Sequence, residues 1–248
     1  MNKKIPRIFF EKKIKINNEY LILNEMYHYC VNVLRIKLYE IIEIFNNTNT
    51  IYYGSVIKIF NKKMLIKILS KKNIKYPKKI YIHLIQVIYN YEIMKFIIQK
   101  ATELGVNEIT PIISNKSNIK ITSKYHISKK IKQWKQVAIT ACIQCKRNIL
   151  PKINQITSME KYVQISNNTK NKTKIIFHPN SQIQLHEIKK KYKNIELLIG
   201  PKSGFTLQEI EYAIKNNFIN ISLGEKILKS ETASITAIAL FQLKYKNL

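Results

Sequence analysis

The sequence predicts an α/β protein in which a parallel sheet carries helices on both faces and follows a small β-barrel module. Three observations predict it. Between residues 7 and 70, short β-branched or aromatic runs recur, separated by turn residues and interrupted by one helical stretch. From Ile80 onward, apolar strands alternate with amphipathic helices, the pattern of a parallel sheet. Between the two regimes lies a lysine-rich segment, 71–79, with Pro77 inside it, which marks a boundary between units 1–72 and 73–248.

In the first unit the strand runs are 7–10, 20–23, 41–45, 50–60 and 64–69, with Asn46-Asn47-Thr48-Asn49 as a turn. One helix is expected from Asn24, as N-cap, to about Ile36, with Tyr27, Cys30, Val31 and Leu34 on one side. In the second unit, 80–88 reads as a strand buried on both faces. A helix over 92–104 carries Ile93, Ile97, Ala101 and Leu104 on one face and closes at Gly105, before a strand at 108–113. Ile127, Ile131, Trp134, Ala138, Ala141 and Cys145 recur at spacings of four and three, the core stripe of a helix that stops before Pro151. Lys129, Lys130, Lys132 and Lys135 occupy its other face. Strands at 173–177, 196–199 and 219–223 follow. Thr206 and Glu209 form the capping box of one helix. The last helix, 232–245, is apolar on most sides, which suits either the core or a subunit interface.

The charge balance points to a polyanionic partner. Lys+Arg number 43 against 15 Asp+Glu, a formal net charge of +28, and RNA or DNA is the first candidate. All 15 acidic residues are glutamate, and only Arg7, Arg35 and Arg147 are arginine. Such usage, with abundant Ile, Lys, Asn and Tyr, is that of AT-rich codons, so part of the charge is drift. The three arginines that remain are then informative, because a planar, multidentate donor is the one thing lysine cannot replace. Cys30, Cys142 and Cys145 make no disulfide framework and suit a reducing cytoplasm. Cys142 and Cys145 match C-x-x-C without a second pair at zinc spacing, so a helix position is favoured over a metal or redox site. No run approaches 18 apolar residues and residues 1–10 lack an apolar export core, so a soluble, cytoplasmic chain is expected.

Three of the five glycines, Gly200, Gly204 and Gly224, follow two apolar strands. Glycine serves where the backbone needs φ > 0 or close approach, so these loops read either as ordinary strand-to-helix turns or as the walls of a ligand pocket. Ligands of parallel sheets sit beyond the carboxyl ends of the strands, where the loops after Phe177, Ile199 and Leu223 would meet. Gly200 and Gly204 do not fit G-x-G-x-x-G, Lys202-Ser203 lacks the glycine framework of a P-loop, and neither a metal cluster nor a serine elbow occurs.

The segments Leu197-Leu198-Ile199-Gly200-Pro201-Lys202-Ser203-Gly204 and Leu223-Gly224-Glu225-Lys226-Ile227-Leu228-Lys229-Ser230-Glu231-Thr232-Ala233 resemble the RsmE family of bacterial small-subunit ribosomal RNA uridine-N3 methyltransferases, of the SPOUT class. The resemblance spans the chain. Ile5-Pro6-Arg7-Ile8-Phe9 is similar to the family's opening strand, and His28 through Val33-Leu34-Arg35 to its first helix. Ile98-Gln99-Lys100-Ala101-Thr102-Glu103-Leu104-Gly105-Val106 with Thr110-Pro111, Trp134, Gln144-Cys145-Lys146-Arg147 through Pro151, and Phe177-His178-Pro179 follow in order. The resemblance implies a PUA-like RNA-binding β-barrel, then a SPOUT domain with a trefoil knot, a topology rare enough that no periodicity argument would propose it. It also implies a homodimer and S-adenosylmethionine as cofactor. By resemblance, His178, Leu198, Ile199, Gly200, Pro201, Gly204, Leu223, Gly224, Ile227, Leu228, Thr232 and Ala233 belong to the cofactor site.

Methyl transfer to N3 of a uracil needs positioning, loss of the N3 proton and a cation near the resulting anion. Arg7, Arg147 and Lys116 are candidates for the cation. Glu231 is either a proton acceptor or orienting group, or a charge at a helix N-terminus. Arg7, Arg35, Lys116, Lys129, Lys132 and Arg147 are candidate RNA contacts, Arg35 alternatively a structural ion pair. His28, His83, His126 and His186 read as structural or exposed. The chain departs from the family at Lys202 and Ser203, which stand where the loop has glutamate and a second glycine. Lys116, Lys226 and Lys229 stand for arginines, and Ile93 for a lysine. The substrate implied is a uridine of 16S ribosomal RNA in the small subunit. The alternative is a catalytically weakened RNA-binding or ribosome-assembly protein of the same fold.

Overall fold

The computed structural model describes residues 5–75, 80–117, 119, 123–167, 171–188 and 192–245. Residues 1–4, residues 76–79 of the boundary segment and the side chain of His186 lie outside them. The chain divides into two units, 1–77 with 142–150, and 78–141 with 151–248.

The first unit is one five-stranded sheet in the order β1-β3-β4-β5-β2, formed by Arg7–Phe9, Glu19–Leu23, Ile41–Phe45, Thr50–Phe60 and Lys63–Asn73 as β1 to β5. β1 pairs with β3 in parallel and the other neighbours are antiparallel. The period of two is plain in β5, where Met64, Ile66 and Ile68 are buried between exposed or half-exposed neighbours. They pack with Ile8, Ile22, Cys30, Ile42, Ile44 and Val56 into a single core. The expected helix is shorter than the sequence suggested: α1 covers Asn24–His28 and a π-helical turn, Tyr29–Val33, continues it. Asn24 is not its cap. It has φ 53, a left-handed conformation asparagine tolerates, and Leu23 is the cap residue without a side-chain bond.

Residues 142–150 belong to this unit through Arg7. Its guanidinium is 3.1 Å from Glu43 Oε1 as an ion pair and donates to Arg147 O at 3.1 Å and to Asn148 Oδ1. It also lies 4.4 Å over the Phe45 ring. Asn47 Oδ1 accepts from Leu150 N at 2.8 Å. Burial pushes the thiols of Cys30 and Cys142 up to about 12, which leaves them poor nucleophiles.

The second unit is a parallel sheet. β6 to β12 are Tyr81–Val87, Glu108–Ile113, Lys152–Ile153, Thr157–Ser158, Thr173–Phe177, Asn194–Ile199 and Phe218–Ile221. Their order is β12-β10-β11-β6-β7-β8, with β9 also on β7. The helices are α2 (Tyr91–Glu103), α3 (Lys124–Gln144), α4 (Met159–Asn167), α5 (Leu207–Lys215) and α6 (Ser230–Lys244). Alternate residues of the same strands enter two cores. Ile82, Leu84, Ile175, Leu197 and Ile199 face Met94, Ile97, Trp134, Ile238 and Phe241 of α2, α3 and α6. Ile85, Val87, Ile176 and Leu198 face Tyr162, Val163, Ile210 and Ala213 of α4 and α5. Both faces of the sheet are therefore covered, which is why its strands read as nearly continuous apolar runs. Leu243 remains 64% exposed on α6. No helix among the described residues is long and apolar enough to cross a membrane.

Gly105 ends α2 as expected. Its N–H bonds Thr102 O and that of Val106 bonds Ala101 O, a Schellman closure with Gly105 at φ 84. A Cβ there would lie 2.9 Å from Gln242 Nε2, which donates to Leu104 O at 2.7 Å. Gly105→Ala is therefore expected to destabilise the protein by about 2 kcal/mol, from left-handed strain and a displaced hydrogen bond, read by urea unfolding. An unchanged midpoint would show that α2 and α6 readjust freely.

Candidate functional site

The three adjacent strands β12, β10 and β11 end at Ile221, Phe177 and Ile199, and their following loops enclose a cavity of about 330 Å³. This is within the range of small-molecule sites. The first loop is tied to the third: His178 N donates to Ile221 O at 3.0 Å, and Ser222 N to Ile183 O at 2.8 Å. In the second, Gly204 at φ 69 closes a turn with a 2.9 Å bond from its N–H to Pro201 O. Gly200 is needed for close approach, since a Cβ there would stand 3.0 Å from the Phe205 ring. In the third, Ser222 Oγ donates to Gly224 O at 2.8 Å and accepts from Gly224 N at 3.1 Å, and Gly224 has φ 128.

Lys116, after β7, reaches this loop set. Its Nζ donates to Ser203 O and Phe205 O, both at 3.3 Å. The capping box is formed, with Thr206 Oγ1 accepting from Glu209 N at 3.1 Å and Glu209 Oε2 from Thr206 N at 2.7 Å. The other oxygen of Glu209 takes Asn115 N at 2.7 Å, so the segment before Lys116 is held to α5. The cavity has apolar walls from Ile199, Leu223, Ile227, Leu228 and Ala233, with Lys116, Lys202 and Lys226 among its cations. No carboxylate is among the described lining residues. Burial, and then the Lys116 charge, hold the His178 pKa below its usual value, so its ring is neutral at neutral pH. Asn180 N donates to its Nδ1 at 3.3 Å.

Ten of the twelve residues read as cofactor contacts line this cavity: His178, Ile199, Gly200, Pro201, Gly204, Leu223, Gly224, Ile227, Leu228 and Ala233. Leu198 lies fully buried in the second core, and Thr232 is exposed on the first turn of α6. Among the catalytic candidates, Lys116 lines the cavity. Glu231 stands on the same helical turn as the lining residue Ser230, and its carboxylate accepts from Tyr89 OH at 2.8 Å. Arg7 and Arg147 belong to the first unit, Arg7 buried in the pairing described above and Arg147 half-buried. Arg35 is exposed at φ 54 and has no ion pair with a described residue. Lys129, Lys132 and Lys135 are exposed on α3, while Lys130 sits 4.4 Å over the Tyr91 ring. His83 is buried, and His28 and His126 are exposed. Sequence reading missed Asn180, Phe205, Ser222 and Ser230 as lining residues. The signal for Phe205 and Ser222 was their position beside the loop glycines, and for Asn180 and Ser230 their closeness in sequence to His178 and to Leu228.

The RNA methyltransferase domain family matches residues 76–242. Ribosomal RNA small subunit methyltransferase E of Buchnera aphidicola from Acyrthosiphon pisum is 42% identical over 243 residues, covering 97% of this chain and 94% of that protein. Its counterpart from the Schizaphis graminum symbiont is 40% identical over the full length of both. Among solved structures, a Legionella pneumophila methyltransferase in complex with bound cofactor SAM superposes with a TM-score of 0.91 at 30% identity, covering 98% of each chain. Ribosomal RNA small subunit methyltransferase E of Neisseria gonorrhoeae bound to S-adenosyl methionine gives 0.88 at 26% identity and the same coverage.

Proposed function

This chain belongs to the RNA methyltransferase family of ribosomal RNA small subunit methyltransferase E, and from that premise we propose that it methylates N3 of one uridine in 16S ribosomal RNA. It is an S-adenosylmethionine-dependent ribosomal RNA methyltransferase. The observation that carries the reading is the cavity at the carboxyl ends of β12, β10 and β11, in a fold that matches cofactor-bound relatives. The residues fit the cofactor: glycines admit backbone where side chains would collide or strain, and aliphatic walls suit an adenine. When bound, S-adenosylmethionine supplies a methyl group activated on a sulfonium. Gly200, Gly204 and Gly224 shape the loops that would hold it, and Ile227 and Leu228 would supply apolar wall to its base.

The chain's own chemistry is placement and charge. Lys116 stabilises the uracil anion left when the N3 proton departs, and Glu231, oriented by Tyr89, is the acceptor we assign. Arg7 acts by fixing the segment that carries Arg147. Arg147, Arg35, Lys129 and Lys132 meet phosphates. The first unit serves as a PUA-like barrel that binds RNA, and the second carries the SPOUT trefoil knot. The protein works as a cytoplasmic homodimer. The weakened-protein alternative gains nothing from Lys202, which is exposed at the rim of a cavity formed with it in place.

Transfer of labelled methyl to small ribosomal subunits from a strain lacking the modification tests the reading. Incorporation at a single uridine N3 is expected, with none into modified subunits. Lys116→Met should lower kcat by about 10- to 100-fold while Lys116→Arg keeps most of it. A folded protein that binds the particles and transfers nothing would overturn the proposal.

A further inference from the structure

Beside the cavity a chain of hydrogen bonds joins β6, α6 and the first glycine loop. Gln86 is completely buried at the carboxyl end of β6. Its Nε2 donates to Val87 O at 3.1 Å and to Ser230 Oγ at 3.0 Å, and its Oε1 accepts from Ser234 Oγ at 2.5 Å. Ser230, itself buried, donates a hydrogen bond to Gly200 O at 2.5 Å. Ser234 Oγ also lies 2.9 Å from Ser230 O, a second acceptor for its one proton. The directions of the Gln86 and Ser230 bonds to the two carbonyls are nevertheless set. Turning the amide over would aim Oε1 at the Val87 carbonyl and leave the Ser230 hydroxyl without its donor. A buried amide with its partners fixed in this way has one orientation, so the Ser230 hydroxyl has one orientation too.

We propose that Gln86 and Ser230 are positioning residues for the cofactor: the Gln86 amide, through Ser230, fixes the Gly200 carbonyl and with it the path of the 200–205 loop. This rests on the cofactor reading of the cavity. Neither sequence pattern nor lining set points to Gln86, which touches no cavity surface. Its effect passes through α6, which also supplies Ala233 to the wall. Without the Ser230 bond the Gly200 carbonyl is free to turn, and the loop samples conformations that do not hold ligand.

The test measures S-adenosylmethionine binding by calorimetry and the KM against kcat split for three variants. Ser230→Ala and Gln86→Met should each weaken cofactor binding by about tenfold, raising KM for the cofactor while kcat at saturation stays within about twofold. Their double variant should be no weaker than the stronger single one, because both cut the same chain. Ser166→Ala is the control. It removes a buried 2.5 Å bond to Glu196 elsewhere in the sheet, so it should lower the melting temperature and leave cofactor affinity unchanged. Ser230→Ala and Gln86→Met binding like the parent would overturn the positioning role, as would Ser166→Ala weakening binding equally. An unaltered protein that does not bind S-adenosylmethionine would overturn the cofactor reading itself, and is recognised in that first arm.

Discussion

Replacing Gly224 by alanine is expected to weaken S-adenosylmethionine binding by about 10- to 100-fold with little loss of global stability. Space is not the obstacle, since a Cβ at Gly224 would meet nothing within 4 Å. The obstacle is the backbone, whose φ of 128 lies in a region closed to residues with a side chain. Forcing alanine to stay there costs about 1–3 kcal/mol, and the loop can avoid most of that by giving up its conformation. Doing so breaks the two contacts between Ser222 Oγ and Gly224 and shifts Leu223, Ile227 and Leu228, three walls of the cavity. The strain therefore falls on the site and not on the core. Gly200→Ala makes the contrasting case, because its φ is unexceptional and its conflict is one of space, with the buried Phe205 ring. Calorimetric titration with a parallel thermal melt separates the two effects. Undiminished binding by Gly224→Ala would mean that the 222–229 loop does not shape the cofactor site.

The sheet was legible because its strands are buried on both sides, so 80–88 and 196–199 are apolar apart from the buried His83, Gln86 and Glu196. The two glycine loops were legible for a related reason: a chain with five glycines places them only where backbone geometry demands. The helix α4 was not foreseen. Its buried side is Met159, Tyr162, Val163 and Ser166, too short and too polar a stripe to stand out, and the strands β8 and β9 before it have two residues each. The attachment of 142–150 to the first unit was also invisible, since it depends on one arginine far away in sequence. That arginine survives codon drift for a physical reason. Arg7 combines an ion pair with Glu43, bonds from its Nη2 to Asn148 and to the Arg147 carbonyl, and a planar face over the Phe45 ring, a combination that a lysine ammonium does not offer. Asn24 looked like a cap by residue type alone. Its φ shows that asparagine serves there for its tolerance of the left-handed region.

Glu196→Gln is expected to lower stability at neutral pH by about 3 kcal/mol and to flatten its acid dependence. Glu196 is 1% exposed near the amino end of β11, where it accepts from Ser166 Oγ at 2.5 Å and pairs with Lys172 Nζ at 2.8 Å. His83 Nδ1 stands between Glu196, at 3.7 Å, and Glu108, at 3.8 Å. Burial raises the Glu196 pKa, but His83, Lys172 and Ser166 outweigh it and hold the group at about 2. Glu108 is held at about 2 in the same way, with His83, Asn154, Tyr81 and Lys152 offsetting burial. The sign follows from the depression. Both carboxylates bind protons more weakly in the folded state, so their stabilisation is complete above the ordinary value of 4.5 and drains away as pH falls toward about 2. Glutamine keeps the size of Glu196 but cannot neutralise Lys172, so the variant is weakest against the parent at pH 7, and the gap narrows by pH 3. Urea unfolding at the two pH values measures it, and equal stability of variant and parent at pH 7 would show that the cluster contributes no net stabilisation. Because the cluster lies near the amino ends of β6, β7 and β11, while the cavity lies at the carboxyl ends of β12, β10 and β11, the folded variant should bind S-adenosylmethionine as tightly as its parent. Stability and cofactor affinity are then read from opposite ends of one sheet, and a variant that lost both would show that they are coupled through its strands.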